Sequence, residues 1–106
     1  MKIITRAELM QMPDYTVFSY YERSYMRGLY IMSDKMEHDF VCMSLIDSFS
    51  GDFEDGIKKM EDGMDVPFDN EYFGREGYFD DDQLYVVYSQ NDLDGIVGLL
   101  NKARGV

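Results

Sequence analysis

The sequence predicts a small α+β domain: an antiparallel sheet of about four strands with helices, in the order α-β-β-β-α-β-α. Three observations predict it. Three β-branched and aromatic runs between residues 15 and 46 follow one another across short polar links. A capping-box signature opens a helix near each end of the chain. Between them, the apolar period lengthens from that of a strand to that of a helix. With 106 residues, the chain has the length of one domain, residues 1–106.

The elements follow in order. In "ITRAELMQMP", Thr5 is placed as an N-cap and Glu8 stands three residues on. Ile4 and Leu9 are spaced as the accompanying hydrophobic staple. Pro13 cannot continue a helix, so the first one spans about residues 6–12. "YTVFSYYE" (15–22), "YMRGLYIM" (25–32) and "FVCMSLI" (40–46) read as an antiparallel meander, joined at Glu22–Ser24 and by the charged turn "SDKMEHD" (33–39). Alternation places Tyr15, Val17 and Tyr21 on one face and Phe18 and Tyr20 on the other, so both faces of the sheet call for cover. Phe53, Ile57, Met60 and Met64 then recur at the spacing of an amphipathic helix, with Gly56 inside it as a local cost. Residues 65–77, with Pro67, Asn70, Gly74 and Gly77, read as a loop. "QLYVVYS" (83–89) is the last strand. Ser89 and Asp92 cap a final helix over about 91–103, with Leu93, Ile96, Val97 and Leu100 as its apolar stripe.

Charge is the least ordinary property. The net charge is −11, and residues 47–82 hold thirteen acids against Lys58, Lys59 and Arg75, a local net of −10. Residues 1–46 carry six acids and five bases, and residues 83–106 carry two of each. There is no basic cluster of the kind that releases counterions from phosphates, so direct nucleic-acid binding and anionic membranes are excluded as expected partners. No apolar run reaches the length of a membrane span, and "MKIITRAEL" lacks the apolar segment of a signal peptide. Cys42 is the one cysteine, which permits no intrachain disulfide. The expected compartment is the cytoplasm.

Catalytic and metal chemistry find little to work with. His38, the one histidine, lies in a polar turn, and Cys42 lies in an apolar strand, where a thiol behaves as a small hydrophobe. One of each cannot form a Cys/His metal set. An EF-hand frame with Gly95 at its sixth position puts Gln90 first and Asn101 last, and both ends fail. No glycine-rich phosphate loop is present. The reading is therefore no enzyme, no cofactor and no metal.

Nine tyrosines and seven phenylalanines favour an interaction surface instead. "FDNEYFGREGYFDDD" (68–82) interleaves aromatic and charged residues, and it ends the acidic third. The expected partner contacts are Asp52, Glu54, Asp55, Glu61, Asp62, Asp80, Asp81 and Asp82 as the acids, with Tyr72, Phe73 and Tyr78 as aromatic anchors. The bland alternative is a loop whose aromatics fold back onto the sheet while its acids face water. A self-associating module, a homodimer above all, is the second reading; a small metal-binding protein or enzyme is the third.

"MKIITRAELMQMPDYTVFSYYE", "SLIDSFSGDFEDGIKKMEDG" and "YFDDDQLYVVYSQNDLDGIVGLL" together resemble small uncharacterised acidic proteins of tailed bacteriophages. The resemblance implies a class of role: binding and blocking a host protein, including restriction and CRISPR effectors, in some cases by imitating nucleic acid. It carries no residue-level motif.

Overall fold

A computed structural model describes residues 1–69, 71 and 73–105. The elements are β1 (Lys2–Thr5), α1 (Arg6–Leu9), β2 (Val17–Glu22), β3 (Tyr25–Lys35), β4 (Phe40–Ser44), α2 (Phe53–Glu61), β5 (Gly74–Arg75), β6 (Leu84–Val87) and α3 (Gln90–Arg104). The class is α+β with an antiparallel sheet, but among the described residues the sheet has six strands in the order β1-β6-β2-β3-β4-β5 rather than about four. The two added strands are short and bound at the sheet's edges. Ile3 and Ile4 of β1 pair with Val86 and Tyr85, and Gly74 and Arg75 of β5 pair with Cys42 and Val41. No helix among the described residues is long and apolar enough to cross a membrane.

The capping boxes form as read. Thr5 and Glu8 exchange side-chain and backbone hydrogen bonds, as do Ser89 and Asp92. Each satisfies two backbone N–H groups that a helix N-terminus leaves unpaired. The first helix is shorter than 6–12, because after Leu9 the chain only completes turn-type bonds from Met10, Gln11 and Met12. The β2–β3 connection is a two-residue hairpin. Arg23 and Ser24 sit at φ 50° and 66°, the double positive φ of a type I′ turn, whose twist matches that of the flanking strands. Gly28, at φ 73°, shifts the β2–β3 register. A Cβ there would lie 2.4 Å from the Tyr30 ring.

The core lies on one face of the sheet. Ile4, Phe18, Tyr20, Met32, Phe40, Tyr85 and Val87 point to it, and Leu9 of α1 closes over them with none of its surface exposed. Phe18 is the hub: the rings of Tyr20, Phe40 and Tyr85 meet it edge-on at 5.8, 5.7 and 5.5 Å, and Tyr30 stacks at 5.4 Å. Such pairs add about 0.5–1.5 kcal/mol each beyond the burial of their area. The opposite face buries Val17, Ser19, Met43 and Val86. Ser19 pays no penalty for burial, since its hydroxyl donates to the Gly28 carbonyl at 2.6 Å and shares a hydrogen bond with the Tyr88 hydroxyl at 2.7 Å.

The helices α2 and α3 contribute little to this core. The α2 stripe is largely outside: Phe53, Met60 and Met64 are exposed. Only Gly56 of α2 is buried, against the ring of Phe49, which itself stacks on Phe53 at 5.5 Å. The glycine that costs the helix propensity thus admits that ring. The radius of gyration, 15.2 Å, exceeds the ~13 Å of a compact domain this long, as projecting helices require.

Candidate interaction surface

The acidic segment before β6 has a rigid root. Arg6 at the start of α1 is buried, and its Nη1 donates to Glu76 Oε1 at 2.7 Å and to the Tyr85 hydroxyl at 3.0 Å. Its Nη2 reaches the His38 carbonyl at 3.3 Å and Asp39 Oδ1 at 3.4 Å. Tyr20 and Tyr85 donate to Glu76 Oε2 at 3.0 and 3.4 Å. Asp39, 1% exposed, accepts from the N–H groups of Phe40 and Gly77 and from Arg75 Nε at 3.0 Å. Two arginines thus balance two buried carboxylates. Among the described residues no buried side-chain polar atom lacks a partner.

The electrostatics follow from this arrangement. Burial pushes the Asp39 carboxyl up, but the Gly77 and Phe40 N–H groups and Arg75 outweigh it and hold the group below the usual carboxylate range. Burial, reinforced by Glu76, pushes the Tyr20 hydroxyl up and the Tyr85 hydroxyl to about 12. Burial likewise takes the Cys42 thiol to about 12, so it is no thiolate at neutral pH. His38 is exposed in its turn. No group of three or more His, Cys, Asp or Glu side chains among the described residues is placed to hold a metal ion.

From this root the chain emerges into solvent. Glu76 is buried and Gly77 is tied to Asp39, while the Tyr78 N–H donates to Glu76 Oε1 at 3.0 Å. Tyr78 is then 75% exposed and Phe79 52%, and Asp80, Asp81 and Asp82 follow, all exposed. Asp80 has a local task, since its Oδ1 accepts from the Asp82 N–H at 3.0 Å and closes the turn into β6. Beside Tyr78 lie two adjoining concavities of about 350 and 340 Å³, both lined by Tyr20, Arg27, Glu76 and Tyr78. The Arg27 guanidinium covers the Tyr20 ring at 4.5 Å and pairs with Glu22 at 3.3 Å. The neighbourhood of Tyr78 is therefore aromatic and guanidinium-lined rather than uniformly acidic.

The other expected contacts lie on α2. Asp52 is its N-cap, accepting from the Asp55 N–H at 3.1 Å. Asp55 and Asp62 pair with Lys59 and Lys58 at 3.0 and 3.5 Å, one helical turn away. Glu54 and Glu61 are exposed. Phe73 is half-buried, and Tyr72 lies outside the described residues. Because α2 links β4 to β5 and Asp80–Asp82 lead into β6, the two acidic groups hang from strands three spacings apart, ~14 Å across the sheet.

Sequence reasoning passed over Arg6, Asp39 and Glu76. One signal was present: Arg6 precedes Leu9 and Met10 by three and four residues, so a helix carries it on their buried side. Nothing local marks Asp39 or Glu76. Compared with protein-family models, curated proteins and solved structures, the chain matches none.

Proposed function

We propose that the chain is a non-enzymatic binding module of the phage-inhibitor type. It docks a negatively charged, aromatic-containing surface onto a basic surface of a host protein, such as a nucleic-acid-binding defence enzyme of the CRISPR-effector class, and blocks it. The observation that carries this reading is the segment Tyr78–Asp82: two exposed aromatics and three exposed acids, rooted in the core through Glu76 and Asp39. Exposed rings on a fixed backbone lose little entropy on binding, which is what makes aromatic anchors effective. The acids beside them lend long-range attraction to a basic partner and make the encounter sensitive to salt. The remaining acids of 47–82 extend that field.

The test is capture from bacterial lysate at low and high salt, identification of the bound protein, and measurement of its affinity in purified form. Binding should weaken steeply with salt, and further when Asp80, Asp81 and Asp82 are all changed to Asn. Affinity unchanged by that triple substitution would remove the role assigned to the segment.

A further inference from the structure

The helix α2 carries an apolar stripe that its own chain leaves open. At ~100° per residue, Phe53, Ile57 and Met60 fall within ~60° of one another around the helix. Phe53 is 55% and Met60 41% exposed, and Ile57 is half-buried. Gly56, the buried residue, borders the stripe on one side, where the ring of Phe49 packs. Glu54 and Glu61 border it on the other, one above the other at a separation of ~10.5 Å along the axis. This is a heptad pattern, with apolar residues at a and d and an acid at each e position. The other charges of the helix lie on its far side and are paired with each other, Asp55 with Lys59 and Asp62 with Lys58. No ion pair among the described residues includes Glu54 or Glu61. Beside Phe53 opens a concavity of about 510 Å³, lined by Phe49 and also by Asp47 and Asp69. Apolar surface and uncompensated acid thus meet along one edge of the helix.

We propose that this edge of α2 is a docking surface for a basic amphipathic helix of a partner protein, one whose apolar stripe is flanked by Lys or Arg. The charges exclude the other covers. A second α2 laid antiparallel sets e positions against e positions, which opposes Glu54 and Glu61 to their own copies. Laid parallel, it sets Glu61 against Gly56, which offers no charge. An anionic membrane surface is repelled by the same acids. A helix with cations at its flanking positions meets both glutamates and covers the stripe, which is the helix-in-groove mode of recognition. Met60 suits that role, because a flexible thioether adapts its shape to the side chains it meets. The stripe is only ~10.5 Å long, so the contact belongs to the weak, transient class. Such a surface presupposes a binding module, as proposed above, yet it lies on a different element from Tyr78–Asp82 and either can fail alone.

Fluorescence anisotropy with a labelled synthetic peptide of three heptads, Leu at a and d and Lys at e and g, tests this. One control peptide keeps that composition with the leucines scrambled, and another carries Glu in place of Lys. The Lys peptide should bind with a Kd below about 1 mM and at least about tenfold tighter than the scrambled one, and the Glu peptide should not bind. Met60→Glu should weaken binding about tenfold, although it adds a negative charge. Circular dichroism should show that variant folded, since the side chain is exposed. Glu54→Gln together with Glu61→Gln should weaken binding and flatten its salt dependence. Changing Asp80, Asp81 and Asp82 to Asn should alter it by less than about twofold at about 0.15 M salt, where screening acts over about 8 Å and those acids hang ~14 Å away. Absence of binding, equal binding of the scrambled peptide, or indifference to Met60→Glu overturns the proposal. So does loss of binding in the Asp80–Asp82 variant, which moves the site off α2. Self-association of the free chain that Met60→Glu weakens in sedimentation velocity gives the stripe to a second copy and overturns it as well. Peptide binding that stands while the captured partner ignores Asp80–Asp82 sinks the Tyr78–Asp82 reading alone.

Discussion

Arg6 Nη1 and Glu76 Oε1 lie 2.7 Å apart with both side chains buried, joining positions 70 residues apart in sequence. This contact fastens the first helix to the segment that presents Tyr78 and the three aspartates. Surface ion pairs contribute little. A buried one is different, because removal of one partner leaves the other charged and without solvent.

Arg6→Met should therefore destabilise the fold by about 3–5 kcal/mol, measured by urea unfolding. Glu76→Gln should also destabilise it. Combining the two should cost less than the sum of the single changes, with a coupling of about 0.5–3 kcal/mol. Simple additivity would mean that the pair does not act as a unit.

Acid should weaken a second long-range tie. The Met1 amine donates to Asp92 Oδ2 at 2.6 Å, and with Ser89 it lowers the Asp92 carboxyl to about 2. The folded value lies below the unfolded one of about 3.9, so the contribution is complete above that pH and is lost as pH falls toward 2. Asp39 is lowered as well and acts in the same direction. Thermal melts of wild type and Asp92→Asn should differ by a constant gap from neutrality down to about pH 4, and the gap should close below it. A gap closing between pH 7 and pH 5 would contradict the assignment.

Glycines in the two long helices should respond oppositely to alanine. A Cβ on Gly56 would lie 2.1 Å from the Phe49 ring, which is held by stacking on Phe53, so Gly56→Ala should destabilise by about 1–3 kcal/mol. A Cβ on Gly95 meets nothing, and Gly95→Ala should stabilise by up to about 1 kcal/mol through helix propensity. Urea midpoints of the two variants on either side of wild type would confirm both.

These contrasts show what the sequence made legible. Thr5–Glu8 and Ser89–Asp92 are local signals written within four residues, and both capping boxes form. The β2–β3–β4 meander was readable because its links are short. By contrast, β1 consists of four residues that run directly into a capping box, and their strand partner, β6, comes some eighty residues later. The two residues of β5 sit inside a stretch whose glycines read as loop. Asp39 and Glu76 look like any other acids until the topology brings Arg6 between them. The amphipathic stripe of α2 gave the helix but not its environment, because periodicity states which side is apolar and not whether anything covers it.

Tyr78 offers the most direct test of the interaction surface. Its side chain is 75% exposed, and its own backbone N–H, not its ring, makes the hydrogen bond to Glu76. Tyr78→Ala should therefore leave the unfolding midpoint within about 0.5 kcal/mol of wild type, as for a surface position. If the ring is an anchor, the same change should weaken binding to the captured partner by at least 2 kcal/mol, roughly thirtyfold. The salt dependence of what binding remains should be unchanged, because the acids that set it are still in place. Loss of affinity together with loss of salt dependence would point instead to a displaced Asp80–Asp82 turn. Nuclear magnetic resonance shifts confined to residues 77–79 in the free variant would distinguish an anchor removed from a segment moved.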